Sequence, residues 1–342
     1  MQHLAIDLGG KESVFCARNQ DGSIAEEGRV PTHCLGTFLA KRPTCRVILE
    51  TCAEAFAIAD SSVAAGHDTR VVPSRIVRAL GVGDRRIKND QRDASALSAA
   101  SCRSELPSVH IRSAVSRELQ ALFRMREELV ACRTKLINGV RGWMRTRLIR
   151  VGSGNPCTFT RRVREACLAT PHGVPKYLER NLVLIDQLTT QMRAADVEVK
   201  ERVTESELCQ RLKTVPCVGN LTAVRFLSVV DDVRRFGSAH ALESYLGITP
   251  GENSSSGRKQ RLAITKAGPG DLRGLLLQVA WSAWRTRPRD PMVEWARRIE
   301  ARRGRKISLV ALSRKIAGAM YAVWRDGTTY DPKRMRGDVE KT

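Results

Sequence analysis

No two of the ten cysteines stand in a C-x-x-C spacing; they are scattered at 16, 34, 45, 52, 102, 132, 157, 167, 209 and 217. That scatter argues against a zinc ribbon, and a chain of 342 residues is no small disulfide scaffold, so the thiols read as reduced and buried. No run approaches the roughly 20 apolar residues that a membrane span requires. The opening Met1-Gln2-His3-Leu4-Ala5-Ile6-Asp7 sets an acid where a signal peptide needs its apolar stretch, which predicts a cytoplasmic protein without a membrane partner. Acids are also in short supply. There are 36 against 58 basic residues, a net charge of +22. Such an excess repels itself unless a polyanion neutralises it.

What is present is unevenly placed. Residues 1–100 hold 13 basic and 12 acidic side chains, whereas 112–150 hold 10 and 3, and 257–342 hold 21 and 8. A near-neutral front therefore precedes two basic regions. Hydrophobic residues make up 42%, enough for ordinary cores, and the length suits two domains with a connecting element.

The first hundred residues read as α/β. His3–Leu8, Ser13–Arg18 and Gly28–Pro31 have the pattern of short strands with a turn at Asp21-Gly22. Arg46–Leu49 reads as a buried strand, Ala53–Ala65 as a helix, Thr69–Pro73 as a strand and Asp90–Arg103 as a helix. That order predicts a ribonuclease-H-like fold. Beyond it, Ser116–Arg150 reads as one long helix: Leu122, Leu129 and Leu136 repeat at seven, as do Phe123, Val130, Ile137 and Met144. After a break at Gly152-Ser153-Gly154-Asn155-Pro156, a second long helix is expected over about Lys176–Lys213. The two helices could fold on each other or pair with a second subunit. Val215-Pro216-Cys217-Val218-Gly219 reads as a tight turn entering a helix over Leu221–Val230, resembling a helix-hairpin-helix whose free amides hold a DNA phosphate. Gly247–Gly257 reads as a Ser/Gly loop, with helices over Leu272–Arg287 and Val310–Arg325.

Four acids carry candidate chemistry. Asp7 is expected within the first strand, Glu50 ends the apolar strand, and Asp90 and Asp93 share one face at a helix start. A carboxylate in an apolar strand is costly unless paired, protonated or bound to a cation. Oxygen ligands of this kind suit Mg²⁺. Singly, each acid has a plainer explanation: Asp90 and Asp93 as helix-start caps, Asp7 and Glu50 as solvent-facing strand ends. As a set they point to a metal site. Ile6-Asp7-Leu8-Gly9-Gly10-Lys11 also resembles the first phosphate loop of actin-like sugar kinases, but the second phosphate loop that such a kinase needs is missing. A second group is Pro250-Gly251-Glu252-Asn253-Ser254-Ser255-Ser256-Gly257, with Arg258, Lys259, Arg261 and Lys266 behind it. Hydroxyls among cations suit a phosphate-contacting loop, and a serine becomes a nucleophile only when a partner activates it. Spacing alone favours the simple contact.

The ordered combination of the Asp7 strand, Glu50, Lys-x-Asp-x-x-Asp-Ala at 88–94, Pro-x-x-Gly at 216–219, Leu-Gly-Ile-Thr-Pro at 246–250 and the Ser-Ser run leading to Ile-Thr-Lys-Ala-Gly resembles the DEDD transposases of insertion sequences. These are relatives of the Piv-type DNA invertases and are also known as bridge-RNA-guided recombinases. The resemblance implies a RuvC-like catalytic domain of ribonuclease-H fold at 1–110 and a helical coiled-coil or dimerisation segment at 111–213. A mainly α-helical transposase domain at 214–330 and a basic tail at 331–342 would follow. It implies Asp7, Glu50, Asp90 and Asp93 as Mg²⁺ ligands and Ser254 as nucleophile, with a shift to Ser255 or Ser256 open. Donor and target DNA and a noncoding bridge RNA are the implied partners. Acids and serine would meet across subunits of a dimer or tetramer. Asn89 and Thr51-Cys52 depart from the residues expected beside the acids. A Holliday-junction nuclease would use the same acids without the serine, and a structural nucleic-acid-binding protein would need neither.

Overall fold

Three short segments open the chain and pair as strands in sequence order, the first two buried and the third an exposed edge. In a computed structural model, which describes residues 1–79, 90–103, 105–171, 173–255 and 258–333, they are β1 (His3–Asp7), β2 (Glu12–Arg18) and β3 (Ile24–Pro31) of an antiparallel meander. β4 (Arg46–Glu50) then pairs parallel to β1, and β5 (Asp68–Val72) parallel to β4, so the order is β3-β2-β1-β4-β5. Helices α1 (Leu35–Ala40) and α2 (Ala55–Ala64) cover one face, where Leu4, Ile6, Val47 and Leu49 pack with Leu35, Leu39 and Ala59. The opposite face carries α3 (Ser74–Ala79) and α4 (Asp90–Arg103), with Ala5, Ile48 and Val72 against Val77 and Leu97. This α/β unit spans Met1–Arg112.

A second compact unit begins at Ser113 and is mostly helical. α5 (Ala114–Thr146) and α7 (Lys176–Glu205) lie antiparallel, joined through α6 (Phe159–Leu168). Ile137, Val140 and Met144 of α5 pack on Phe159, Val163, Leu178, Leu182 and Ile185. Arg126 reaches Asp196 at 3.0 Å and Arg133 reaches Thr189 at 3.4 Å. A seven-residue step up α5 is thus answered by a seven-residue step back along α7. Of the two pairings that the heptads allow, the one observed is this intramolecular hairpin. The second helix stops earlier than expected, at Glu205. Ser206 leaves helical geometry and accepts from the Cys209 amide, capping α8 (Glu207–Leu212).

The remaining elements are α9 (Asn220–Val230), α10 (Ala239–Tyr245), β6 (Pro250–Ser255), β7 (Arg258–Ile264), α11 (Gly270–Thr286), α12 (Pro291–Arg303) and α13 (Arg305–Asp326). Their core is continuous with the end of α7, because Val199 and Val203 pack with Val224, Phe226 and Leu312. The segments expected at 111–213 and 214–330 therefore belong to one unit. The Ser/Gly loop expected at Gly247–Gly257 is in part a β-hairpin: β6 and β7 pair antiparallel, with Ser254 opposite Lys259 and Glu252 opposite Arg261. Lys88, Asn89, Ser256, Gly257 and the tail from 334 lie outside the described residues.

α4 is tied to the sheet by polar contacts as well as by packing. Arg18 donates to Ser98 at 3.1 Å and Ser95 at 2.8 Å, and His3 Nδ1 meets the Ser101 hydroxyl at 2.7 Å. Burial, reinforced by the nearby Arg46 charge, holds the His3 pKa below the ordinary histidine value. His3 is therefore neutral in the folded chain at neutral pH, while the unfolded chain takes up the proton first on acidification. Stability linked to His3 is present above about pH 6.5 and declines as pH falls below it. Urea unfolding monitored from pH 8 to 5 should show this fall, and His3→Gln should flatten it; an unchanged slope in the variant would remove His3 as its source.

Candidate active site and nucleic-acid interface

The register of the sheet determines where the acids stand. Ile6 pairs with Leu49 across β1 and β4, so the next residues, Asp7 and Glu50, end adjacent parallel strands side by side. Asp7 closes β1 and is not inside it, contrary to the sequence expectation, because the chain turns at Leu8–Lys11. Side chains alternate across a sheet. Asp7 follows Ala5 by two and Glu50 follows Ile48 by two, so both belong to the face covered by α4. Both are half-buried.

α4 runs opposite to β1. Its late residue Ser101 sits at His3, its middle residue Ser98 reaches Cys16 at 3.2 Å, and Ala94 packs with Val14, the register partner of Asp7. The helix therefore begins at the sheet edge where Asp7 and Glu50 end. Asp93, half-buried, precedes Ala94, and Asp90 opens the helix one turn before it. The Asp90 side chain lies outside those described. Among the described residues, no three His, Cys, Asp or Glu side chains form a group able to hold a metal ion.

Both strand ends are braced. After Asp7, the Thr32 hydroxyl donates to the Gly9 carbonyl at 2.6 Å, and a Cβ at Gly9 would overlap the Glu12 carbonyl oxygen. After Glu50, the Thr51 hydroxyl lies 3.0 Å from that of Ser74 and accepts from the Ser74 amide at 3.2 Å. Thr51, a departure from the expected residue, thus joins the ends of β4 and β5. The donors on offer are carboxylate oxygens, hard ligands that suit Mg²⁺ better than a soft metal.

In the second unit, the β6–β7 hairpin carries Ser254 and, directly across from it, Lys259; Arg258 stands opposite Ser255. The side chains of Ser254, Ser255, Arg258, Lys259 and Arg261 lie outside those described, whereas Lys266 is exposed. Two glycines lock the base of this hairpin. A Cβ at Gly247 would overlap the Ala267 backbone, and one at Gly268 would overlap the Tyr245 carbonyl oxygen; both residues have positive φ, 68° and 74°. Arg273 Nη1 donates to the carbonyls of Leu246, Ala267 and Gly268 at 3.1, 2.7 and 3.0 Å. Sequence reasoning recognised the two glycine-bearing motifs but missed Arg273, and no local pattern signals such a clamp. The turn at 215–219 enters α9 with Gly219 as N-cap and no side-chain cap. Among the described residues, the first amides of that helix therefore have no N-cap side chain to accept from them.

Two family models match this chain. One, for IS110-type DEDD transposases, covers residues 4–147, and the other, described as the transposase IS116/IS110/IS902 family, covers 209–292. The chain is 30% identical over 303 residues to a probable family 20 transposase of Pseudomonas aeruginosa, covering 86% of this chain and 88% of that one. It is 27% identical over 333 residues to the transposase for insertion sequence element IS1328 of Yersinia enterocolitica, 96% and 98% of the two chains. The transposase for insertion sequence element IS1111A of Coxiella burnetii is 26% identical over 333 residues, 96% of this chain and 90% of that one. The α/β unit and the helical unit are therefore those of an insertion-sequence transposase. The chain belongs to the IS110-type DEDD transposase family. Among the described residues, no helix is long and apolar enough to cross a membrane.

The glycine lock yields a direct test. Gly268→Ala must place a Cβ against backbone at a left-handed φ, and should cost more than about 2 kcal/mol. Urea denaturation of the full-length variant should register that loss, whereas a change within about 0.5 kcal/mol would show that the backbones are not in close contact.

Proposed function

We propose that this transposase cuts and rejoins DNA through the carboxylates of a RuvC-like domain of ribonuclease-H fold and the Ser254 hydroxyl, guided by a noncoding bridge RNA. The observation that carries the reading is the meeting of Asp7, Glu50 and the start of α4 at one sheet edge. The strand order β3-β2-β1-β4-β5 with β2 antiparallel supports the fold assignment. In this reading Asp7, Glu50, Asp90 and Asp93 hold Mg²⁺, which when bound supplies neutralisation of charge on a scissile phosphate.

The remaining steps belong to the chain itself. Ser254 Oγ attacks phosphorus, giving up its proton as the P–O bond to the DNA leaving oxygen breaks; that oxygen takes up a proton and departs as a hydroxyl. The phosphoserine conserves the bond energy, so attack by a new DNA hydroxyl rejoins the strand and returns the serine without net hydrolysis. Arg258, Lys259, Arg261 and Lys266 bind the phosphates flanking the site. Donor and target DNA are selected by pairing with the RNA, and the protein, as a dimer or tetramer, recognises helix shape and backbone.

Recombination assays with full-length protein, Mg²⁺, the RNA transcribed beside its gene and cognate DNA test this. Asp7→Asn, Glu50→Gln, Asp90→Asn and Asp93→Asn should each slow cleavage at least about a hundredfold while leaving DNA binding in place. Ser254→Ala should abolish both cleavage and the denaturation-resistant protein–DNA adduct, which mass spectrometry should map to Ser254. An adduct on Ser255 or Ser256 moves the nucleophile. Full activity of the triple Ser254, Ser255 and Ser256 alanine variant would leave water as the attacking group and replace the recombinase reading with a nuclease.

A further inference from the structure

The end of the α5–α7 hairpin away from the second unit's main core has a chemistry that the preceding reading does not use. Between Glu128 and Glu165 the chain carries nine basic residues and no acid, of which Arg161 pairs with Glu165 and Arg164 with Glu179 and Asp186 of α7. A cavity of about 620 Å³ opens there, within the size range of small-ligand sites, lined by Trp143, Thr146, Arg147, Thr170, Pro175 and Tyr177 among others. Trp143 and Tyr177 meet edge to face at 6.1 Å and 74°, the indole N–H donating to the Tyr177 hydroxyl at 3.2 Å. The Arg147 guanidinium lies 4.7 Å over the Trp143 ring and also donates to that hydroxyl at 3.3 Å. Tyr177 is nonetheless 52% exposed.

Leu148 is the most unusual residue of the tip. It sits at φ 59°, in the left-handed position that follows a helix end and ordinarily takes glycine. Its amide donates to Arg145 and that of Ile149 to Met144, the bonds that close such a helix end. Its side chain is 91% exposed, so packing does not compensate for the strained backbone. Strain without a packing return is a mark of functional positions.

Exposed aromatic rings beside arginines are the means by which proteins hold unpaired bases, because every base has a stacking face and every nucleotide a phosphate. We propose that this tip binds an unpaired nucleotide of a single-stranded polynucleotide. The base enters the cavity against the Trp143 and Tyr177 rings, with Leu148 between the lining residues Arg147 and Ile149, and the phosphates lie on exposed Arg145, Arg147 and Arg150. A membrane surface would also take arginines, aromatics and an exposed leucine, but it has no use for a concave polar-rimmed cavity of this size. The proposal goes beyond the DNA chemistry assigned to Asp7 and Ser254. A cleavage-dead Ser254→Ala protein is expected to keep this contact, so either reading can fail alone.

The test uses full-length protein with fluorescein-labelled oligo(dT) and oligo(rU), and with the same strands carrying 5-iodouracil for photocrosslinking. Crosslinks are expected on peptides holding Trp143 or Tyr177, and the sugar of the better-crosslinked strand identifies the source. Tyr177→Ala should weaken binding by about tenfold, whereas Tyr177→Phe, which keeps the ring but frees Trp143 and Arg147 from its hydroxyl, should weaken it less. Arg147→Ala should lower the slope of log affinity against log salt by about 0.7, one phosphate contact on a single strand. Leu148→Gly should raise Tm while weakening binding, a combination that a purely structural role would not produce. Crosslinks confined to other peptides, with affinity unchanged in Tyr177→Ala and Leu148→Gly, would overturn the proposal. So would binding to phosphatidylserine vesicles that these substitutions abolish while oligonucleotide affinity stands.

Discussion

Parallel pairing of β1 with β4 is the constraint on which the α/β unit depends, because it sets Asp7 beside Glu50 at neighbouring strand ends. Neighbouring strands lie about 5 Å apart, so two carboxylates that end them repel when both are ionised, less where water screens them. The surroundings bear on that cost. The positive end of α4 begins at the same edge, and the turns behind both acids are fixed by Thr32, Gly9, Thr51 and Ser74. Even α4 itself is held in place by small polar residues, Ser95, Ser98 and Ser101, that meet Arg18 and His3. Small hydroxyl side chains on that helix face let it approach the sheet closely and place its N-terminus at the acids.

The hairpin that bears Ser254 depends on a different device. The approach of the Gly247 and Gly268 backbones to residues 267 and 245 fixes its base, with Arg273 gathering three carbonyls around the crossing. A short two-stranded ribbon is marginal by itself. Anchoring its base to α10 and α11 leaves its far end, with Ser254 opposite Lys259, as the part furthest from the anchor.

Much of this was legible in the sequence, for reasons that differ from element to element. Short apolar runs bounded by turn residues located β1, β2 and β5, the continuous run Val47-Ile48-Leu49 located β4, and the bounds of α4 from Asp90 to Arg103 were read as they stand. The heptads of α5 were equally clear, but a heptad does not say whether its partner is the same chain; Arg126–Asp196 and Arg133–Thr189 record that choice only in three dimensions. The β6–β7 hairpin was read as a loop because Ser, Asn and Gly lack strand propensity, and the tertiary lock at Gly247 and Gly268 overrides it. Helices α1 and α3 escaped notice because six residues hold too few turns to show a period, and α6, though amphipathic, was passed over behind the break at Gly152–Pro156. The four acids were read as a set, whereas the sheet face that Asp7 and Glu50 share became visible only with the register.

The central claim is that this sheet edge binds a divalent cation. Anomalous diffraction from crystals of the full-length protein grown with Mn²⁺ in place of Mg²⁺ tests it most directly. The account predicts a peak within ordinary oxygen-ligand distance, about 2.0–2.2 Å, of Asp7 and Glu50 and of at least one of Asp90 and Asp93. A peak bound elsewhere, with this edge empty at millimolar Mn²⁺, would contradict it.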